Sequence, residues 1–587
     1  MYPLSAVPPN VTIDPEEVVG GILEISYFRR EPEAILASST EEIRTRRPHT
    51  KRDDDVVDIV VVGAGAAGLV AAYEFMQQGL SVKILEKNDK ILGCWESAAN
   101  ETSHLSVSEA TYRFPGVDGE ENEGDYPSRS KVLENGHKFF EQFDFGRVTE
   151  FRAKVIDIKD ISGRSQKIAS AKGQKDVFKH KHGYCEVTYK KDEDSVSSNL
   201  TGTTKTLRCS GVFIATGAQC EQNHHNFPEE ETFKGYTAYG SANDTHEVVQ
   251  NVKGKNVVIV GSGAFAIENI RTMLINGAKH VTLVHRSTLQ VWPRCIHYLF
   301  SKEKDRPFSD YAEVYERAAN WAGFTIGDGD DCALAPLMHP TTKAQPSISD
   351  AFFGFAKLGL VTLVRGEIMQ MREHSAVIEK KIGGTSEIEC DVLLKCIGWK
   401  QPLLKTFFPQ FTHRNFVFLN GSPRVMFVCD PRYSRGTTKI ESEIKDEYAT
   451  ILDTVPIGGT FSVLVLARVM AWLHMYVLGN DVMMFNKMLT TMPSSTHPTC
   501  TWGEQQFSFP TNKECSDLIR FKIGYHKDLV LSKHPSVNDF FIMSCAYLQQ
   551  DISVYELASG IDVCEGLEVE FKEAMMDSKI MREIMNR

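Results

Sequence analysis

Gly63, Gly65 and Gly68 stand at the spacing G-x-G-x-x-G, directly after the apolar run Asp58 to Val62 and directly before the Ala- and Leu-rich stretch Ala66 to Gln78. A carboxylate, Glu86, closes a second apolar run, Ser81 to Leu85. Residues of these types in this order can hold a dinucleotide. Gly63 permits a tight turn out of a strand, Gly65 lets the backbone approach a pyrophosphate, and Gly68 lets helix and strand pack closely. Together with Ala64, Ala66 and Ala67 they line the start of a helix, whose unpaired N–H groups and positive dipole end favour phosphate. An acid about 20 residues beyond the glycines can bond a ribose hydroxyl. The β-branched run before the glycines predicts a buried parallel strand, and the composition after them predicts a helix that Gly79 ends.

The pattern recurs. Gly261, Gly263 and Ala266 follow the apolar run Asn256 to Val260, with Ser262 and Ala264 between them. The second strand of this unit, His280 to Val284, ends in His285 and Arg286 rather than an acid. A carboxylate there would repel a ribose 2′-phosphate, and an arginine pairs with one. The first unit therefore suits the adenosine half of FAD or NAD, and the second suits NADPH. Two unlike sites in one chain predict electron transfer from NADPH to a flavin.

These units must be positioned by strands and helices, and the chain is long enough to supply them. Its 587 residues suit two or three domains, and 42% hydrophobic with 24% charged residues is ordinary for a globular protein. The fold class expected is α/β, with two Rossmann-like dinucleotide-binding domains, the NADPH domain nested in the FAD domain. The divisions are an N-terminal arm at 1–55, a first FAD part at 56–245, and an NADPH domain at 246–390 with an insertion at 291–354. A FAD return segment at 391–480 and a C-terminal extension at 481–587 follow. Further strands are expected at 151–159, 184–189, 207–217 and 391–399, and a loop leading into an amphipathic helix at 123–145.

A net charge of −12 argues against nucleic acid as a partner. The basic run Arg44 to Arg52 reads as a solvated linker. Thirteen cysteines without a C-x-x-C argue against a zinc site and a redox-active pair, and they fit a reducing, cytoplasmic setting. The start shows neither a basic n-region nor an apolar h-region. Residues 457–478 are long enough to span a bilayer, but Arg468 and His474 inside them predict a buried core helix, so no transmembrane anchor is expected. A homo-oligomer is compatible with all of this.

With these elements in order, the chain resembles the flavin-containing monooxygenases, class B flavoprotein monooxygenases that use FAD and NADPH. The resemblance covers roughly residues 56 to 480 and rests on a co-linear set. Besides the two glycine units, Glu86 and Arg286, the set comprises Gly93-Cys94-Trp95, Tyr126 to Ser130, Ala215-Thr216-Gly217 and Phe233-x-Gly235. It implies that Gly63 to Ala67 cradle the FAD pyrophosphate, that Glu86 holds its ribose, and that Cys94 and Trp95 lie along the flavin. It also implies that Ser262, Gly263 and Ala264 contact the NADPH pyrophosphate, that Arg286 meets its 2′-phosphate, and that Ala215 to Gly217 mark the interdomain link.

Four departures from the family pattern stand out. Cys94 replaces a glycine. Tyr239 stands where the F-x-G-x-x-x-H fingerprint has histidine, with Asn243 at the following aromatic position. Cys396-Ile397-Gly398-Trp399 replaces a second A-T-G-Y-like element. The flavin-facing asparagine has no clear match, and Ser106 or Ser108 is the candidate for its place. Ser108 and Tyr239 are thus the catalytic candidates, and Gly398 joins the cofactor-binding set.

The resemblance implies that NADPH reduces FAD and that one atom of O2 passes to a small substrate. Oxygenation of a soft nitrogen or sulfur nucleophile leads. Baeyer–Villiger oxygenation of a ketone is second and would use a nearby arginine, Arg286 or Arg294. An NADPH oxidase or reductase is third, and a degenerate flavoprotein acting as a binding module is last. His285, His297 and His339 receive no role.

Overall fold

The computed structural model describes residues 56–77, 79–105, 112–117, 127–162, 183–191, 203–217, 221–293, 308–327, 329, 332–336 and 347–400. Beyond these it describes the short stretches 413–414, 418–419, 422–428, 463–479, 499–502 and 505–508. The arm, Ser106, Ser108, Tyr126, Arg294, His297, His339 and nearly all of the extension lie outside the described residues.

The first sheet grows around β1 (Val56–Val62), whose last five residues are all buried. It pairs in parallel with β2 (Val82–Leu85), which pairs in parallel with β3 (Thr149–Glu150). β4 (Ala153–Ser162) and β5 (Gly183–Lys191) form an antiparallel hairpin running into β6 (Thr203–Ile214). The second half of β6 lies parallel to β1, which explains why its burial rises along the strand. Between β1 and β2, α1 (Ala66–Gln77) crosses over, and Gly79 and Leu80 close it with N–H bonds to Met76 and Phe75. α2 (Cys94–Ser97) is a single turn. α3 (Arg129–Gln142) starts at Ser128, whose side chain accepts from the Lys131 N–H. α3 buries Phe139 in an aromatic cluster with Tyr73, Phe114, Phe143 and Phe145.

The second sheet opens with β7 (Tyr236–Tyr239) and, after α4 (Ala242–Asn251), continues with β8 (Asn256–Val260), α5 (Ala264–Ile275) and β9 (His280–His285). The insertion contains β10 (Val291–Trp292), α6 (Phe308–Ala322), β11 (Ser347–Ile348) and α7 (Asp350–Lys357). β12 (Val361–Arg372), β13 (Ser375–Lys380) and β14 (Thr385–Glu389) form a meander, and β15 (Val392–Lys395) follows. The order is β14-β13-β12-β9-β8-β15-β7, parallel from β12 to β7.

β16 (His413–Arg414), β17 (Phe418–Leu419) and β18 (Ser422–Phe427) return to the first sheet, where β18 pairs in parallel with β6. The sheets thus place their crossings a little away from the sequence divisions. β7 precedes residue 246 and β15 follows residue 390, yet both belong to the second sheet. The four-residue β15 is wholly buried between β8 and β7, an environment that composition alone does not assign to either domain.

α8 (Val463–Gly479) packs on α1 through Ala467, Met470, Ala471 and Met475. The two residues costly in lipid find protein partners. Arg468 Nε donates to Glu74 of α1 at 2.6 Å. His474, fully buried beside Phe75 and Phe213, lies 3.1 Å from the Arg424 carbonyl. Among the described residues no helix is long and apolar enough to cross a membrane. A short hairpin, β19 (Thr499–Trp502) and β20 (Gln505–Ser508), is described within the extension.

Candidate functional site

The first glycine unit is held from both sides. Gly63 leaves β1 at φ +105°, in the region that favours glycine, and its N–H donates to the Leu85 carbonyl at 2.8 Å. A Cβ on Gly63 would stand 2.6 Å from the Ala215 carbonyl oxygen, and one on Gly68 would land on the Gly63 carbonyl. These two glycines answer to packing. Gly65 differs, because a Cβ there would meet nothing within 4 Å. That open side, at the N-terminus of α1, is where a pyrophosphate fits.

Glu86 lies at the end of β2 with 6% exposure. One carboxylate oxygen accepts from the Ala64 N–H at 2.7 Å, and the other accepts from the Asn88 N–H at 2.9 Å. Glu86 therefore shapes the loop as well as standing ready for a ribose, since a carboxylate has lone pairs left for further donors. Ala64 and Ala66 are buried, and Ala67 is half-buried against the core.

Gly93 approaches Gly65 directly, which brings Cys94 and Trp95 to the mouth of the same cradle. Cys94 is exposed. Trp95 donates its indole N–H to the Tyr112 hydroxyl at 2.7 Å, and its carbonyl accepts from Arg129 Nε at 2.7 Å. Burial raises the Tyr112 phenol, which stays protonated. Ala215 is bonded to the end of β1, and Thr216 and Gly217 continue from it beside the cradle. The residues present fit FAD.

The second unit repeats this plan with a different end. The Gly261 N–H donates to the Val284 carbonyl at 3.0 Å, as Gly63 does to Leu85. The space at Gly261 is closed by the Cys396 backbone, whereas Gly263 is open on its Cβ side. Ser262, Gly263 and Ala264 are at least partly exposed at the start of α5, and Ala266 is fully buried beneath them.

By this correspondence the position of Glu86 is taken by His285, which is buried. Burial, with help from the Arg365 charge, brings its pKa down to about 4, so it is neutral near pH 7. Arg286 is exposed one residue further on. The strand register also sets Arg365 of β12 opposite His285. Sequence reading missed Arg365, since nothing local marks a residue that only strand pairing brings near the motif. A neutral histidine flanked by two arginines fits a ribose 2′-phosphate.

Tyr239 ends β7, at the edge of the second sheet. Its hydroxyl accepts from the His225 N–H at 3.1 Å, and its ring lies 4.7 Å from the Lys395 ammonium. Lys395 is itself buried and paired with Glu230 at 2.7 Å. Gly398 accepts from the Asn223 N–H, and Trp399 packs on Phe265 of α5. The structure thus brings Gly261, Cys396 and Phe265 together, and it places Tyr239 in a packed edge cluster beside them.

A second residue missed in sequence is Asn100. Asn100 is buried and bonds across to Asn269 and Thr272 of α5 at 3.4 and 3.1 Å. Its position a few residues beyond Trp95 was the only available signal.

Two sheets with parallel centres, each with a glycine cradle at the C-terminal end of a central strand, β1 or β8, have the form of two Rossmann-like dinucleotide units. The model of the pyridine nucleotide-disulphide oxidoreductase family matches residues 57–295. The chain is 25% identical over 245 residues to the FAD-containing monooxygenase EthA of Mycobacterium tuberculosis, covering 39% of this chain and 42% of that one. It is 23% identical over 235 residues to the probable indole-3-pyruvate monooxygenase YUCCA7 of Arabidopsis thaliana, covering 40% and 48%. The match therefore spans less than half the length of each of these curated relatives. An open crystal structure of cyclohexanone monooxygenase aligns with a TM-score of 0.49 at 16% identity, over 71% of this chain and 97% of that one. The chain carries a pyridine nucleotide-disulphide oxidoreductase domain and is distantly homologous to the class B flavin monooxygenases.

Proposed function

We propose that the chain is a FAD- and NADPH-dependent monooxygenase that places one oxygen atom of O2 on a soft nitrogen or sulfur nucleophile of a small substrate. The observation that carries this reading is the asymmetry of the two cradles, a buried carboxylate closing the first and a neutral histidine with exposed Arg286 closing the second. The first suits a ribose with free hydroxyls, and the second a ribose bearing a 2′-phosphate. Bound FAD would supply hydride acceptance and O2 activation.

The residues of the chain bind, orient and exclude water. The Gly65 backbone and the N-terminus of α1 hold the FAD pyrophosphate, and Glu86 holds the ribose. Trp95, fixed by Tyr112 and Arg129, forms a rigid wall at the cradle mouth. Ser262 to Ala264 hold the NADPH pyrophosphate, with Arg286 and Arg365 at its phosphate end. Ser108 is the proposed polar group facing the flavin, and Tyr239 holds the edge segment at His225.

The ketone reading is second. It needs a cation beside the flavin, whereas Arg286, as the partner of the 2′-phosphate, stands at the far, adenosine end of NADPH. The experiment is turnover under 18O2 with NADPH, offering a thioether, a tertiary amine and a cyclic ketone in parallel. One labelled oxygen in a sulfoxide or N-oxide supports the proposal. A labelled ester moves the assignment to ketones, and NADPH oxidation giving only hydrogen peroxide refutes oxygen transfer.

A further inference from the structure

The loop after the Cys94–Trp95 turn meets α5 through a row of polar side chains. Asn100 Nδ2 donates to Thr272 Oγ1 at 3.1 Å and to Asn269 Oδ1 at 3.4 Å. The Thr102 and Thr272 hydroxyls are 2.7 Å apart, and Arg271 lies 3.5 Å from the His104 ring. Asn100, Asn269 and Thr272 have exposures of 7%, 0% and 1%. On the other side, Asn269 Nδ2 donates to the carbonyls of Phe265 and Gly240 at 2.8 and 3.2 Å, and it reaches Cys396 Sγ at 3.7 Å. Asn100 Oδ1 accepts from the Thr102 N–H and hydroxyl, which fixes the loop itself.

We propose that this seam sets the register of the NADPH-binding unit on the FAD-binding unit and so positions the nicotinamide for hydride transfer, with Asn100 and Thr272 as positioning residues. The inference rests on the functional reading above. Apolar contacts are non-directional and tolerate sliding, whereas buried hydrogen bonds lose their full value once the donors are misaligned. Thr272 lies about 12 Å along α5 from Ala264, at the helix end that meets the NADPH pyrophosphate, at 1.5 Å per residue. Asn100 follows Trp95 at the flavin cradle. A rigid helix and a fixed loop therefore connect the two cradles through this seam. A misplacement of about 1 Å between reacting groups can cost about a hundredfold in rate.

The test uses the full-length holoprotein with Thr272→Val, Thr102→Val, the double variant, and Asn100→Asp. Asn100→Asp keeps the oxygen that caps the loop and replaces the donor. Anaerobic reduction by NADPH and by its 4R-deuterated form is followed by stopped flow. Expected are an unchanged FAD content, an NADPH Kd within about threefold, and a limiting reduction rate lowered about tenfold or more, with a larger deuterium isotope effect. The two valine variants should be non-additive, because they break one shared bond. A readout that does not depend on turnover is the radius of gyration from small-angle scattering with FAD and NADP+ bound, expected to increase in the variants. An unchanged reduction rate together with unchanged scattering overturns the seam. If wild-type protein binds FAD but is not reduced by NADPH, the functional reading fails, and scattering alone then decides the register. Loss of FAD or a fall in NADPH affinity as the main effect assigns these residues to folding or binding and also overturns it.

Discussion

Replacing Glu86 should separate cofactor affinity from folding, and its size can be worked from the geometry. The carboxylate is 6% exposed and accepts two backbone N–H bonds, from Ala64 at 2.7 Å and Asn88 at 2.9 Å. Charge-assisted bonds of this kind contribute about 1.5–3 kcal/mol each. Glu86→Gln keeps one acceptor oxygen and turns an N–H2 toward one of the two backbone donors. The lost backbone bond should lower the apoprotein's melting temperature, and replacing the charged acceptor of the ribose by a neutral one should weaken FAD binding by up to roughly tenfold in Kd. Glu86→Ala removes both acceptors and the ribose partner, and the loss should be on the order of a hundredfold or more.

The assay is titration of the apoprotein with FAD, read by flavin fluorescence, alongside thermal melting of the same apoprotein. The order expected is wild type tightest, then Gln, then Ala. Wild-type affinity in Glu86→Ala would refute the assignment of this carboxylate to the cofactor. A melting loss large enough to leave no folded apoprotein would be resolved by Gly65→Ala, which disturbs the same site without touching the loop hydrogen bonds.

The glycines make a sharp contrast. Gly65→Ala should leave apoprotein melting unchanged or slightly raised and abolish FAD retention, because its Cβ enters the open cradle; Gly68→Ala should reduce soluble, folded protein, because its Cβ meets the Gly63 carbonyl. Steady-state kinetics should show Arg286→Ala raising the KM for NADPH roughly tenfold to a hundredfold while leaving NADH nearly unaffected. His474 gives a pH test. Burial brings its pKa down from 6.5 to about 3, so the unfolded chain takes up a proton first as pH falls. Stability contributed by the neutral ring is complete above pH 6.5 and is lost toward pH 3 by up to about 1.4 kcal/mol per pH unit. Melting temperatures between pH 7 and 4.5 should fall less steeply in His474→Gln than in wild type.

What the sequence disclosed follows from where the information is local. The β1–α1–β2 unit was legible because each feature acts on its immediate neighbours. The β-branched run fills a parallel strand buried on both faces, Gly63 turns the chain, and the small residues of α1 let it lie between the sheet and α8. Arg286 was legible for the same reason, standing just past a strand end. Arg365 and Asn100 were not. Arg365 nears the second cradle only because β12 pairs with β9 in one register, and Asn100 gains meaning only from a helix some 170 residues away in the chain. The Lys395–Glu230–Tyr239 cluster is equally non-local, assembled from a strand end, a short turn and an edge strand.

The same distinction separates the two kinds of glycine. A Cβ at Gly63 or Gly68 would strike protein, and one at Gly65 or Gly263 would strike nothing. Within one chain the first pair are required by the fold, and the second pair answer to no packing demand. A polypeptide selected only to fold would gain from alanine at positions 65 and 263, since glycine near a helix start carries extra conformational entropy in the unfolded state. Glycine at both open positions, on two separate sheets, leaves each backbone accessible to the close approach that the proposed pyrophosphates require.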